Sequence, residues 1–103
     1  MKKSDAYIGF AVKKGSIIYG FDALCERPHK AKLILVDKTT NPKIVNKLES
    51  LRDYIPCKMA MLTTTTIADI LKTYNTKVLT ITDSGLAKTI YNTCEDIEKM
   101  TTK

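Results

Sequence analysis

The residues best suited to chemistry form a short element near the start of the chain. A β-branched and aromatic run at residues 17–19 predicts a brief strand. Gly20 separates this strand from a helix predicted over Phe21 to Arg27, which Pro28 stops. A helix that begins at glycine presents free backbone N–H groups to anions, and the missing side chain lets a phosphate come close. The element therefore predicts an anion-binding site at Gly20.

The charge of the chain favours an acidic partner. Its 103 residues include 17 Lys and Arg against 11 Asp and Glu, a net charge of +6 at neutral pH, and nucleic acid is the commonest partner of such a domain. Four lysines flank the Gly20 element in sequence and are predicted to hold a phosphate backbone beside it: Lys13, Lys14, Lys30 and Lys32. The residue types leave open a second interpretation, in which these lysines complement a helix dipole and solvate a strand.

Catalytic and metal-binding interpretations have less support. His29 is the one histidine, and Cys25, Cys57 and Cys94 lack ligand spacing, so we expect no metal, no cofactor and no enzymatic activity. Cys25 and His29 could form a dyad, but we expect a small buried helix residue at Cys25 and a solvent-facing His29. An odd number of widely spaced cysteines favours free thiols in a reducing cytoplasm, which predicts a cytoplasmic protein.

Local signals divide the chain into five helices. The third is expected to start at Asn41-Pro42, a cap residue followed by proline, and to continue past Arg52 on its outer face to Ile55, where Pro56 ends it. The other helices are expected over Asp5 to Lys14 with Ser4 as cap and Gly15 behind it, Phe21 to Arg27, about Thr65 to Thr73, and from a cap at Asp83 or Ser84 through an apolar stripe that includes Cys94 and Ile97.

Four short apolar runs between these helices are predicted to be strands. They are residues 17–19, Leu33 to Val36, Met59 to Leu62, and Lys77 to Thr82. The alternation predicts a single α/β domain over residues 1–103, with helices on both faces of a sheet. No apolar run approaches the length of a bilayer span, so no membrane association is expected.

The order and spacing of several short motifs resemble the ribosomal protein L-seven-Ae and L-thirty-e family, and look closest to its small bacterial YlxQ-type members. The likeness runs across nearly the whole chain. The motifs are Gly9-Phe10-Ala11, Lys14-Gly15, Ile17-Ile18, Gly20, Ala31-Lys32-Leu33-Ile34-Leu35 and Asp37, followed by Asn41, Pro56 and Thr82-Asp83-Ser84-Gly85-Leu86-Ala87-Lys88.

This resemblance implies a three-layer α/β/α sandwich with a mixed four-stranded sheet. It also implies a non-enzymatic RNA-binding protein without a small-molecule substrate, whose partner is ribosomal or kink-turn-like RNA, or the ribosome. Many family members bind kink-turns through the strand–glycine–helix element and a second loop, here about Leu62 to Ala68. The predicted RNA-contacting residues are Lys13, Lys14, Gly15, Gly20, Phe21, Asp22, Lys30, Lys32, Thr63 and Thr64.

The chain departs from the family pattern at the contact residues. Kink-turn binders resemble G-x-N-E-x-x-K, whereas Asp22, Ala23 and Glu26 stand here at the asparagine, glutamate and lysine positions. Loss of a base-reading pair lowers specificity by about 1–3 kcal/mol. An alternative function is therefore a protein-interaction module on the same fold that has lost kink-turn binding. Phe21 is, in turn, either a stacking surface for a base or a core residue.

Overall fold

The computed structural model describes residues 3–55, 57–72 and 76–100, with side chains from residue 5 onward. Helices and strands alternate along the chain, and a 3-10 turn at Pro28–Lys30 follows the second helix. The elements are α1 (Lys3–Lys14), β1 (Ile17–Tyr19), α2 (Phe21–Glu26), β2 (Leu33–Asp37), α3 (Pro42–Leu51), β3 (Lys58–Leu62), α4 (Ile67–Leu71), β4 (Val78–Ile81), α5 (Ser84–Thr93) and β5 (Ile97–Met100). Across these ranges no helix is long and apolar enough to cross a bilayer.

The strands form one mixed sheet in the order β1-β4-β2-β3-β5. β2 and β3 run parallel, and the other three neighbouring pairs are antiparallel. Helices α1, α4 and α5 cover one face, while α2 and α3 cover the other. The predicted α/β sandwich with helices on both faces is thus confirmed, with a fifth strand added to the expected four.

The central strand β2 shows how the two cores are divided. Leu33 and Leu35 pack against the face of α1, α4 and α5, whereas Ile34 and Val36 pack against α2 and α3. Successive side chains of a strand point to opposite faces, so a strand covered on both sides must be apolar throughout. All five residues of β2 are accordingly buried, including Asp37 at its end.

Three predicted helix ends are confirmed by their hydrogen bonds. Behind α1, Gly15 adopts a φ of +72°, its N–H donates to Val12, and the N–H of Ser16 donates to Ala11, which is the pattern of a Schellman cap. The side chain of Asn41 accepts from the N–H of Lys43 at 2.8 Å ahead of α3. The side chain of Asp83 accepts from the N–H of Leu86 at 2.9 Å ahead of α5.

The third helix ends earlier than predicted, and its last turn differs. α3 stops at Leu51 rather than at Ile55, and the proline expected to end it lies outside the described residues. Arg52 was expected on the outer face but is buried. Its guanidinium donates to the carbonyls of Cys57 at 3.3 Å and Met100 at 3.0 Å. Turning inward satisfies these donors and buries the aliphatic stem, which an outward position would leave in water.

The starts of α1 and α4 also differ from the predicted positions. α1 begins at Lys3, so Ser4 lies inside the helix rather than at its cap. α4 begins after Thr66, whose hydroxyl accepts from the N–H of Asp69 at 3.1 Å. The expected end of that helix at residue 73 lies outside the described residues. The start of a helix such as α4 depends on a single cap residue, and several threonines before α4 can act as that cap.

The fifth strand replaces the end of a predicted helix. α5 stops at Thr93, and Ile97–Met100 pairs antiparallel with β3, placing Ile97 opposite Leu62 and Met100 opposite Met59. An apolar residue three positions after Cys94 fits a helix, but the same short segment can also lie in a strand. The edge of β3 decides between them, because pairing satisfies backbone groups that the edge would otherwise expose.

Candidate nucleic-acid interface

Gly20 connects β1 to α2 and needs to be glycine for its backbone conformation. Its φ is +86°, and a Cβ placed on it would meet nothing within 4 Å. The N–H of Gly20 donates to the carbonyl of Val78 at 2.9 Å, so this group is used within the sheet. No side chain in the described part of the chain caps α2, which is six residues long. The predicted anion site therefore consists of the next backbone N–H groups of one short helix.

The two residues after Gly20 have different environments. Phe21 is half-buried against the core beneath α2 and α3, and the ammonium of Lys47 lies 5.9 Å from its ring centroid. Asp22 is exposed. Burial together with the Asp22 carboxylate raises the pKa of the nearby Cys25 thiol. Phe21 is thus mainly a core residue, and the exposed surface beside it carries the negative charge of Asp22.

The segments that follow β1, β2 and β3 lie at one end of the sheet, which we call the glycine end. Gly20 and the second loop both belong to it. Thr63 is engaged there within the protein, since both its N–H and its hydroxyl donate to the carbonyl of Asp96 at 3.0 Å. Thr64 is exposed. The Asp37 carboxylate accepts from the N–H of Ile67 at 2.7 Å and holds the loop against β2. Gly20 and Thr64 therefore share an end, as the family resemblance implies.

The predicted lysines lie at the opposite end, which we call the lysine end: the segments that precede β1, β2 and β3. Ile17 pairs with Ile81, Ile81 with Leu33, and Leu33 with Lys58, so these four residues form one row across the sheet. Lys13, Lys14, Lys30 and Lys32 come just before this row in the chain. Because β2 is about 13 Å long at about 3.3 Å per residue, the expected grouping of these lysines around Gly20 is wrong.

Lys14 has a defined partner at the lysine end. Its Nζ lies 2.5 Å from Oδ2 of Asp83 and 5.9 Å from the ring centroid of Phe10. The hydrogen bond from Lys14, together with backbone hydrogen bonds from Leu86 and Gly85, holds the pKa of Asp83 below its usual range. The charge of Lys14 is therefore balanced within the protein, and neighbouring Gly15 serves as the helix cap.

A pocket of about 290 Å³ opens at the lysine end between α5 and the starts of β2 and β3. Three lysines line it: Lys32, which sequence reasoning identified, and Lys58 and Lys88, which it did not. The remaining lining residues are Leu33, Cys57, Ser84, Ala87, Tyr91 and Asn92. Ser84, Lys88 and Asn92 are four positions apart, so the sequence could have predicted that they share the helix face that forms one wall of the pocket.

A second pocket, of about 520 Å³, is also lined by Lys32, so this residue borders both pockets. It is lined by Pro28, His29, Ala31, Lys32, Leu51, Tyr54 and Ile55. Tyr54 is 86% exposed, the highest exposure of a large hydrophobic residue in the described part of the chain. The lysine end thus combines cations with an accessible aromatic ring, the two groups that single-stranded nucleic acid contacts.

The exposure and the raised pKa of Cys25 give no support to a reactive Cys25–His29 dyad. Cys25 is exposed, contrary to the expectation of a buried helix residue, while His29 is exposed as expected. Burial raises the pKa of Cys57, with Arg52 opposing the shift, so both Cys25 and Cys57 are displaced away from the reactive thiolate form. Within residues 3–55, 57–72 and 76–100, no group of three His, Cys, Asp or Glu residues could hold a metal ion.

No protein-family model matches the chain, and no curated protein matches it. The resemblance to the L-seven-Ae and L-thirty-e family consequently remains a hypothesis that rests on short motifs and on their order.

Proposed function

We propose that this chain is a non-enzymatic, cytoplasmic RNA-binding protein that holds structured RNA, ribosomal or kink-turn-like, through its lysine end. The observation that carries the proposal is a set of lysines from separate segments at one end of the sheet. They are Lys13, Lys30, Lys32, Lys58 and Lys88. Within the described part of the chain none of them pairs with a carboxylate. Such a surface attracts a phosphate backbone, which releases its counterions on binding.

The aromatic side chains of the lysine end favour nucleic acid over an acidic protein. Tyr54 is exposed beside Lys32 in the larger pocket, and Tyr91 lines the smaller one. Base stacking on an aromatic ring contributes about 1–3 kcal/mol per base, independently of sequence. The glycine end supplies a different surface, where Asp22 is exposed and Thr63 is engaged within the protein. We therefore assign phosphate contacts to the lysine end and leave the glycine end a secondary role.

The test is a titration of the purified protein against a kink-turn RNA and a non-kinked duplex, at several salt concentrations. Affinity should fall with salt, with a log–log slope of about −0.9 per phosphate neutralised on a duplex and about −0.7 on a single strand. Replacement of Lys32 and Lys88 by alanine should flatten this slope by roughly one to two units. The matched control is the double variant K38A/K43A, which removes the same charge from exposed positions elsewhere.

Equal slopes for the two double variants would contradict the lysine-end assignment. Preference for the kink-turn would support the family function despite Asp22, Ala23 and Glu26. Equal binding to both RNAs would support a contact with the backbone alone. Absence of binding even at low salt would refute RNA binding and support the alternative, a protein-interaction module on this fold.

A further inference from the structure

The smaller pocket at the lysine end has two well-defined walls. One is a single stripe of α5, whose lining residues Ser84, Lys88 and Asn92 follow each other at intervals of four. The other is formed where β2 and β3 begin, at Lys32, Leu33, Cys57 and Lys58. Leu33 and Lys58 begin strands, and Leu33 and Ala87 pack in the same core, so the backbone of both walls is positioned before any ligand arrives.

The charges in this pocket are unbalanced. Three of its nine lining residues are lysines and none is a carboxylate. The ammonium of Lys58 lies 4.8 Å from the ring centroid of Tyr91, and the ammonium of Lys99 lies 4.8 Å from the same centroid. Two like charges on one ring repel each other, and neither has a carboxylate partner in the described residues. An anion bound here would relieve that repulsion.

Asp83, which immediately precedes α5, does not provide the missing negative charge. Its carboxylate is paired with Lys14 and caps the N–H of Leu86, and it does not line the pocket. Ser84, Tyr91 and Asn92 add a hydroxyl, a phenol and an amide that can donate hydrogen bonds to oxygen. Leu33 and Ala87 supply apolar surface. The lining therefore offers several donors for one compact anion, with apolar surface beside them.

We propose that this pocket binds a phosphomonoester attached to a nucleoside. A phosphomonoester carries about −1.5 to −2 charges at neutral pH, against −1 for each internal phosphodiester, so it matches three lysines better. A pocket of about 290 Å³ holds one such group, whereas an internal segment of RNA requires an open groove. The ligand is either the 5′-phosphate end of an RNA chain or a free nucleoside monophosphate; only the first source rests on the proposed function.

Two paired comparisons distinguish these sources. A short single-stranded RNA with a 5′-phosphate is titrated against the same RNA with a 5′-hydroxyl, and AMP is compared with adenosine by the shift in melting temperature. A 5′-phosphate preference of about tenfold or more supports the RNA end, because charge-assisted hydrogen bonds are strong. Stabilisation by AMP and not by adenosine supports the free nucleotide. Equal binding of both RNAs with no effect of AMP overturns the inference but leaves RNA binding through the lysine end intact.

Cys57 allows the position of the ligand to be tested. It lines the pocket and is partly exposed, whereas Cys25 is exposed on α2 and does not line it. Occupancy should slow alkylation of Cys57 severalfold at mildly alkaline pH and leave the rate at Cys25 unchanged. Equal rates at Cys57 with and without a ligand that binds would place the ligand elsewhere and overturn the assignment.

A charge-matched pair of variants completes the test. Replacement of Lys88 by glutamine should abolish the tenfold preference for the 5′-phosphate, because Lys88 lies on the α5 wall and pairs with no carboxylate in the described residues. Replacement of Lys43, at an exposed position of α3, by glutamine should leave the preference for the 5′-phosphate unchanged. Both positions are exposed on a helix surface, so both variants should fold. Equal preference in the two variants would overturn the role of Lys88.

Discussion

Asp37 and Ile67 join the end of β2 to the beginning of α4. The Oδ2 of Asp37 accepts a hydrogen bond of 2.7 Å from the backbone N–H of Ile67, and its Oδ1 accepts from the N–H of Thr39 at 2.7 Å. Asp37 is only 1% exposed. Its carboxylate therefore replaces water for backbone donors on two different segments, and it fixes the loop that carries Thr63 and Thr64.

Replacement of Asp37 by alanine should lower the free energy of unfolding by about 2–3 kcal/mol, because it leaves the N–H groups of Ile67 and Thr39 without their acceptor. Urea denaturation measures this loss. The adjacent variant K38A, at an exposed position, should change stability by no more than about 0.5 kcal/mol. A loss of similar size in both variants would show that the buried carboxylate has no special role.

Two glycine-to-alanine variants should have opposite effects on stability, although a Cβ meets nothing within 4 Å at either position. Gly9 lies inside α1, so alanine there should stabilise the protein by about 0.5–1 kcal/mol. Gly20 has a φ of +86°, so alanine there should destabilise it by about 1–2 kcal/mol. Thermal unfolding measures both. Stabilisation by G20A would contradict the strained backbone at this position.

The RNA affinity of the folded G20A variant separates the two ends of the sheet. If phosphate contacts lie at the lysine end, G20A should keep the wild-type salt dependence at a temperature where it is folded. A large loss of affinity in G20A with no effect of K32A would instead assign the principal contact to the glycine end.

Two buried threonines should respond oppositely to replacement by valine. Thr80 is fully buried and its hydroxyl has no hydrogen-bond partner among the described residues, so T80V should raise the free energy of unfolding by about 1–2 kcal/mol. The hydroxyl of Thr40 accepts from the N–H of Asp37 at 3.1 Å and donates to the carbonyl of Lys77 at 2.7 Å. T40V should therefore cost about 1–3 kcal/mol. Chemical denaturation of both variants in parallel checks the prediction, which fails if the two changes have the same sign.

The ion pair between Lys14 and Asp83 predicts a dependence of stability on pH. Hydrogen bonding to Lys14 lowers the pKa of Asp83 from its ordinary value of 3.8. The unfolded chain therefore takes up this proton first, and the contribution of Asp83 is present above about pH 3.8 and is lost as pH falls through the lower folded value. D83N should flatten the stability curve in that acidic window while keeping a side chain that can cap α5. A curve as steep as that of the wild type would contradict the prediction.

Signals confined to a few neighbouring residues were predictable. Gly15, Asn41 and Asp83 mark the helix ends that the structure contains, because a cap depends on residues within one turn. The apolar runs that became β1 to β4 were equally visible, since covered strands must be hydrophobic. The fold class followed from their alternation with helices. The inward position of Arg52 could not be predicted from the sequence, because the carbonyls that it contacts belong to segments as far away as Met100.

The sequence by itself determined the basic charge, the strands β1 to β4 and the helix ends at Gly15, Asn41 and Asp83. Only the tertiary structure decided where those charges lie. Sheet register placed Lys32 directly before the row formed by Leu33, Ile81 and Lys58, and removed it from Gly20 by the length of a strand. Packing of α5 against β2 and β3 then brought Lys88 beside Lys58 around one pocket. These are contacts between residues far apart in the chain, and they depend on strand order and pairing, which no local pattern encodes.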